Sequence, residues 1–154
     1  MVDYRLTTME DVDNLVLLRI IFLQEAEEVG SSSSVEELKK SLYSYFKEKI
    51  PNKLFVSWLA EDEGKIIATS GLSFHVVPPS YENPSGEEAY LMNMYTLPEY
   101  RKQGIGGNLL DRTVNEARKR GIRKIRLHTT DIGKSLYEKE GFVETKSEMF
   151  LLLV

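Results

Sequence analysis

The chain has 154 residues, 42% hydrophobic and 29% charged, with a formal net charge of -4. That length suits one domain with a single substantial core. The acidic balance argues against a nucleic-acid partner, which usually needs a basic face. There is no cysteine, which excludes a disulfide framework, a thiolate metal site and a cysteine nucleophile. The two histidines, His75 and His128, make no zinc site without carboxylate help, so no metal is expected. No apolar run reaches the ~18–20 residues needed to cross a bilayer. Met1–Arg5 lacks the layout of a signal peptide. A cytoplasmic chain without membrane contact is the expectation.

Asp3–Leu6 reads as a short strand. Thr7 and Glu10 have the spacing of a capping box, and Val12, Leu15, Val16, Leu18 and Phe22 follow near helical period. A helix over about 8–28 is predicted, broken by Gly30 and Ser31–Ser34. Ser34 and Glu37 open a second capping box. Val35, Leu38, Leu42, Tyr45 and Phe46 form its apolar stripe, and Pro51-Asn52 stops the helix. Leu54–Ala60 and Lys65–Val77 are rich in strand formers and are joined by Glu61-Asp62-Glu63-Gly64, a hairpin. A loop over 78–87 leads to a strand at Ala89–Thr96, stopped by Pro98. Ile105–Arg120 is the clearest amphipathic helix, with Gly121 as its C-cap. A strand at Ile122–His128, a short helix at Ile132–Glu140 and a β pair over Phe142–Val154 complete the chain. With no repeat and no linker, residues 1–154 read as one α/β domain with a mixed sheet.

The segment from Met94 to Gly107 places a strand, a turn and a glycine-rich helix start in succession. The first turn of a helix leaves N–H groups unpaired at the positive end of its dipole. Glycines let a phosphate approach that backbone, and Arg101 and Lys102 add positive charge. A phosphate or pyrophosphate is the natural occupant. A tight turn with no ligand has the same glycines. The P-loop and the dinucleotide fingerprint do not fit, because Gly106-Gly107-Asn108 lacks the Lys-Ser/Thr and the last glycine they require.

Arg101-x-x-Gly104-x-Gly106, after a strand and a proline, resembles the acyl-CoA signature of the GNAT superfamily of N-acetyltransferases. Leu136-Tyr137-x-x-x-Gly141-Phe142, preceded by Leu127-His128, is similar to the short-loop form of the family's second half. Glu148-Met149 before the last strand also fits. The resemblance implies an α/β fold of the α+β type. It would have a mixed, mostly antiparallel sheet of about six or seven strands with a central splay, flanked by about four helices. It also implies acetyl-CoA as cosubstrate, an amine acceptor and direct acetyl transfer.

Carried over residue by residue, the strand ending Met94-Tyr95-Thr96 would lend backbone groups to the pantetheine arm. The Tyr95 N–H would face the thioester carbonyl. The amides of Lys102, Gln103, Gly104, Ile105, Gly106 and Gly107 would hold the pyrophosphate, beside Arg101, whose side chain need not touch phosphate. Tyr137 matches the family's general acid, facing the leaving sulfur. The asparagine that many relatives use on the pantetheine arm is absent between His128 and Tyr137. The base is open. His128 at the end of its strand is the catalytic candidate, with His75, or Glu87 and Glu88 acting through water, as alternatives. Phe22, Glu25, Glu28 and Tyr43 are candidate acceptor-lining residues. Glu25, Glu27 and Glu28 would attract a cationic amine, unless they are only a solvated face. Carboxyl-terminal edge strands would support a homodimer. An acyl-CoA sensor or interaction module on the same fold, and a binder of some other phosphate compound, are the competing readings.

Overall fold

The computed structural model describes residues 1–26 and 34–153. Five strands form one sheet in the order β1-β2-β3-β4-β5: Val2–Leu6, Phe55–Asp62, Lys65–Val76, Glu87–Thr96 and Ile125–Arg126. The first three pairings are antiparallel and β4–β5 is parallel. Four helices cover the sheet: α1 (Val12–Glu25), α2 (Val35–Lys49), α3 (Ile105–Lys119) and α4 (Lys134–Glu140). Among the described residues no helix is long and apolar enough to cross a membrane.

The first capping box forms one residue later than its spacing suggests. Thr8 and Asp11 make it, around a 3-10 turn at Met9–Asp11. Asp11 is taken because Arg5 donates to both its oxygens at 2.8 Å and holds the carboxyl below its ordinary range. α1 ends at Glu25; the expected extension to 28, with Gly30 and Ser31–Ser33, lies outside the described residues. The Ser34–Glu37 box forms as read.

Two cores lie on opposite faces of the sheet. On one, α1 and α2 bury Leu15, Val16, Leu42 and Phe46 against Phe55 and Leu59. Phe46 and Phe55 meet with ring centroids 5.0 Å apart. On the other, α3 buries Leu110, Val114 and Ala117 against Leu72, Ala89 and Leu91, and Tyr137 of α4 joins them. Phe46 is fully buried, so Phe46→Ala is expected to cost about 3–5 kcal/mol. A denaturant titration should show a lower midpoint at unchanged slope.

Among the described residues the sheet has five strands, not six or seven. The pairing expected for Ile122–His128 shrinks to Ile125–Arg126, and residues 142–153 form no strand. The tail run Met149–Leu153 is apolar at successive positions, with 74–94% exposure. A strand with apolar side chains on both faces needs cover on both faces. The body of the chain supplies neither cover nor a ladder partner there.

Candidate active site

β4 carries the site. Its register with β3 slips between Thr69↔Tyr95 and Gly71↔Met92, so Asn93 and Met94 together oppose Ser70. Such a bulge re-aims side chains and bends the strand. Asn93 takes φ +55°, a left-handed conformation that asparagine tolerates better than most residues. Thr69 Oγ1 donates to the Asn93 carbonyl oxygen, and Arg19 Nη1 donates to Asn93 Oδ1 at 3.0 Å. The slip changes which face each side chain meets. Met92 packs toward α1 and α2, Met94 toward α3, and Tyr95 turns back to α1, edge-on to Phe22.

The amide directions at the end of β4 follow from its pairing with β3. The Leu97 N–H donates to the Ile67 carbonyl at 2.9 Å. Strand alternation turns the Tyr95 N–H to that same side, against Thr69. By the same alternation the N–H groups of Met94 and Thr96 would point away from β3, toward the β5 side. On that side β5 pairs only through Ala89↔Ile125 and Tyr90↔Arg126. Beyond Tyr90 no pairing joins the two strands among the described residues, and the splay is expected there.

The splay leads to the glycine turn. Lys102 (φ +61°) and Gly104 (φ +81°) are both left-handed, and Gly104 begins α3 with no side-chain cap. Alternating backbone hands with uncapped amides make an anion-binding concavity. The Ile105 side chain is buried in the core beside Leu109, so this residue offers only its backbone. A Cβ on Gly106 would lie 3.6 Å from Leu136 Cδ2 and 3.8 Å from Met94 Cε, ordinary contacts. The donors and the open backbone fit a pyrophosphate. Arg101 closes the turn. Its Nε donates to the Thr96 carbonyl and its Nη2 to Glu25 Oε2, both at 2.8 Å, with the guanidinium over the Tyr95 ring. The Tyr95 hydroxyl donates to Glu25 Oε1 at 2.7 Å. Burial first, then this carboxylate, pushes the phenol up to about 12.

Tyr137 lies on the α3 side with 8% exposure. Burial first, then Tyr90, pushes its pKa up to about 12. α4 starts beside it, where Thr130 Oγ1 accepts from the Gly133 N–H at 3.3 Å. Thr130 thus ties the turn that leads into α4, whose N-cap is Gly133.

His128 stands at the mouth of the splay. Its Nδ1 is hydrogen-bonded to the Tyr90 hydroxyl, and its Nε2 lies 3.5 Å from Glu148 Oε2. Glu88 belongs to β4 and is buried, not part of a solvated loop. It accepts from Arg126 Nε at 2.9 Å, with His75 Nε2 3.5 Å away. Glu87 is exposed. Phe22 and Glu25 stand together beside Tyr95, whereas Tyr43 lies near Asp13 at the other end of α1. Glu27 and Glu28 lie outside the described residues. The residue missed by sequence reasoning is Tyr90; its only signal was strand alternation, which puts it on the same face as Glu88 and Met92. A cavity of about 490 Å³ between α1 and the β2–β3 turn is lined by Arg5, Asp11 and Glu61. It lies toward the β1 end of the sheet, not at the splay.

The mixed sheet thus pairs β4 with β5 over only two residues, beside a glycine-rich helix start without a side-chain cap. The chain belongs to the acetyltransferase (GNAT) family, whose sequence profile matches residues 18–142. It is 28% identical over 120 residues to a probable N-acetyltransferase, camello, of Xenopus tropicalis, covering 76% of this chain and 52% of that protein. It is 30% identical over 95 residues to the thialysine N-epsilon-acetyltransferase of Mus musculus, covering 59% and 54%. The chain thus spans about half the length of these curated relatives. A predicted acetyltransferase of Clostridium acetobutylicum, solved with acetyl-CoA, is 39% identical with a TM-score of 0.90, covering 99% of this chain and 96% of that one. A GCN5-related N-acetyltransferase of Ralstonia eutropha JMP134 shares the fold, at 24% identity and a TM-score of 0.86, covering 99% of each chain.

Proposed function

We propose that this chain moves the acetyl group of acetyl-CoA to a primary amine by direct attack. One observation carries the reading: β4 parts from β5 next to an uncapped glycine turn, so a thioester and its pyrophosphate have adjoining places on one strand and one helix start. Acetyl-CoA supplies an activated acetyl group, and the residues do the rest. The amides from Lys102 to Gly107 hold the pyrophosphate, and Arg101, tied to Glu25, keeps the turn closed. The Met94 N–H, in place of the Tyr95 N–H, faces the carbonyl oxygen as it gains charge. Tyr137 faces the leaving sulfur, and His128 accepts the proton that the amine gives up.

Calorimetry with acetyl-CoA, followed by thiol release across amines, tests this. The panel begins with thialysine, because one relative is named for it, and continues with spermidine, an aminoglycoside and a peptide with a free amino terminus. Micromolar binding with amine-dependent release is expected. Binding without release from any amine would favour an acyl-CoA sensor. Absence of binding would remove the carrier site altogether.

The homodimer belongs to the same reading. One chain carries both an unpaired apolar tail and a short open edge at β5, which two copies satisfy reciprocally. Sedimentation should find a dimer that Phe150→Ser with Leu152→Ser converts to a monomer. A monomeric parent protein would end that proposal.

A further inference from the structure

Tyr90 is the last β4 residue paired to β5, opposite Arg126, and His128 follows two residues later. Their side chains meet across the mouth of the splay. The Tyr90 hydroxyl and His128 Nδ1 are hydrogen-bonded, with ring centroids 5.6 Å apart. Glu148 faces the other imidazole nitrogen. Both ring nitrogens are thus engaged, one by a phenol and one by a carboxylate. A neutral imidazole accepts on one nitrogen and donates from the other. With the Tyr90 hydroxyl as donor, Nδ1 is the accepting nitrogen and Nε2–H turns toward Glu148.

The two phenols come from different elements and lie within electrostatic reach of each other. Tyr137 is packed into the α3 core. Tyr90 shares the parity of Met92, which packs on the α1 and α2 core. A transfer in which the amine enters as the thiolate leaves needs proton acceptance and sulfur stabilisation at separate places. The fold supplies one phenol to each.

We propose that Tyr90 and His128 form a relay that removes the acceptor's proton. The proposal rests on the acetyltransferase reading above. The acceptor ammonium gives a proton to Tyr90 Oη as the Tyr90 hydroxyl proton passes to His128 Nδ1. The products are a neutral amine, an unchanged phenol and an imidazolium, so charge and protons balance and no electrons move. Glu148 faces the new positive charge. The His128 side chain is 68% exposed, so its proton leaves to water. Tyr90 is then the group that touches the substrate, and His128 acts through it. The other charged groups around the pair are Arg126, which lies within electrostatic reach of Glu148 and Glu82, and the buried Glu88, which Arg126 and His75 hold.

The test separates proton removal from shape. Thiol release is measured for the parent protein, Tyr90→Phe and His128→Gln. One acceptor is thialysine or spermidine, whichever the parent uses. The other is its analogue bearing fluorine beside the reacting amine, which lowers the amine's pKa below 8. A relay contributes about 10²–10⁴-fold for an acceptor that arrives protonated. Both variants should lose at least tenfold in kcat/KM at pH 7 with the ordinary amine. The deficit should be at least tenfold smaller with the fluorinated one, and should shrink as pH rises toward the amine's pKa of about 10. Calorimetry with acetyl-CoA should give unchanged affinity, which shows that the variants are folded. Equal losses with both amines at every pH, or no loss, would overturn the relay and leave the acetyltransferase standing. No release by the parent protein with any amine would overturn both.

Discussion

Replacing Tyr137 with phenylalanine is expected to lower kcat by about 10- to 100-fold while changing acetyl-CoA affinity less than about threefold, because one hydrogen bond to a charged group contributes ~1.5–3 kcal/mol. The magnitude follows from the environment of the phenol. Burial pushes its pKa up to about 12, whereas an unperturbed thiol lies at about 8.5. Complete proton transfer from this phenol to a thiolate is uphill by about 5 kcal/mol. Donation of a hydrogen bond to the sulfur needs no such transfer. The raised pKa keeps the proton on Tyr137 throughout the neutral range, so the group is always a donor and never a base. Its contribution is that of a charge-assisted hydrogen bond in a water-poor place, made mainly as the sulfur gains charge. Phenylalanine preserves the ring packing against Phe142, so the melting temperature should hold within a few degrees. Single-turnover rates at saturating acetyl-CoA measure the effect. Unchanged turnover in the folded variant would falsify the sulfur-facing role.

Gly106→Val is expected to weaken acetyl-CoA binding by about 10- to 100-fold, since losing one or two charge-assisted bonds to phosphate costs ~1.5–3 kcal/mol. Toward the protein, a Cβ at Gly106 meets only Leu136 and Met94 at ordinary contact distance. The protein interior therefore accepts the first added carbon, and the remaining branches occupy the open side of the helix start. A valine in the first turn also raises helix propensity relative to glycine, by well under 1 kcal/mol. Calorimetry with CoA and with dephosphorylated pantetheine separates the two effects. The loss should be large for CoA and small for pantetheine, which has no pyrophosphate to crowd. Equal losses would mean that α3 itself has moved. Unchanged CoA affinity in a folded variant would place the pyrophosphate elsewhere.

The glycine turn and α3 were legible because the pattern is local. Ile105, Leu109, Leu110, Val114 and Ala117 recur at helical period, and all are buried. Leu136, Tyr137, Gly141 and Phe142 marked α4 by the same means, and Tyr137 is buried beside Phe142. The amide directions on β4 were not legible. They depend on a slip against β3 at Asn93, and β-formers at successive positions do not disclose where a ladder skips. The burial of Glu88 was not legible either, because its partners, Arg126 and His75, are far away in sequence.

The sequence by itself determined the family, the helix start that suits a phosphate, the order of helices and the β2–β3 hairpin. These rest on capping, glycine placement and periodicity, all read within a dozen residues. Only the tertiary structure decided where β4 slips against β3. It also decided that Tyr90 meets His128 at the mouth, that Arg101 and Tyr95 share Glu25, and that the tail joins no strand. Each of these depends on pairing between distant segments. Such pairing is fixed by register and by which face of the sheet finds cover, and neither is written in local spacing.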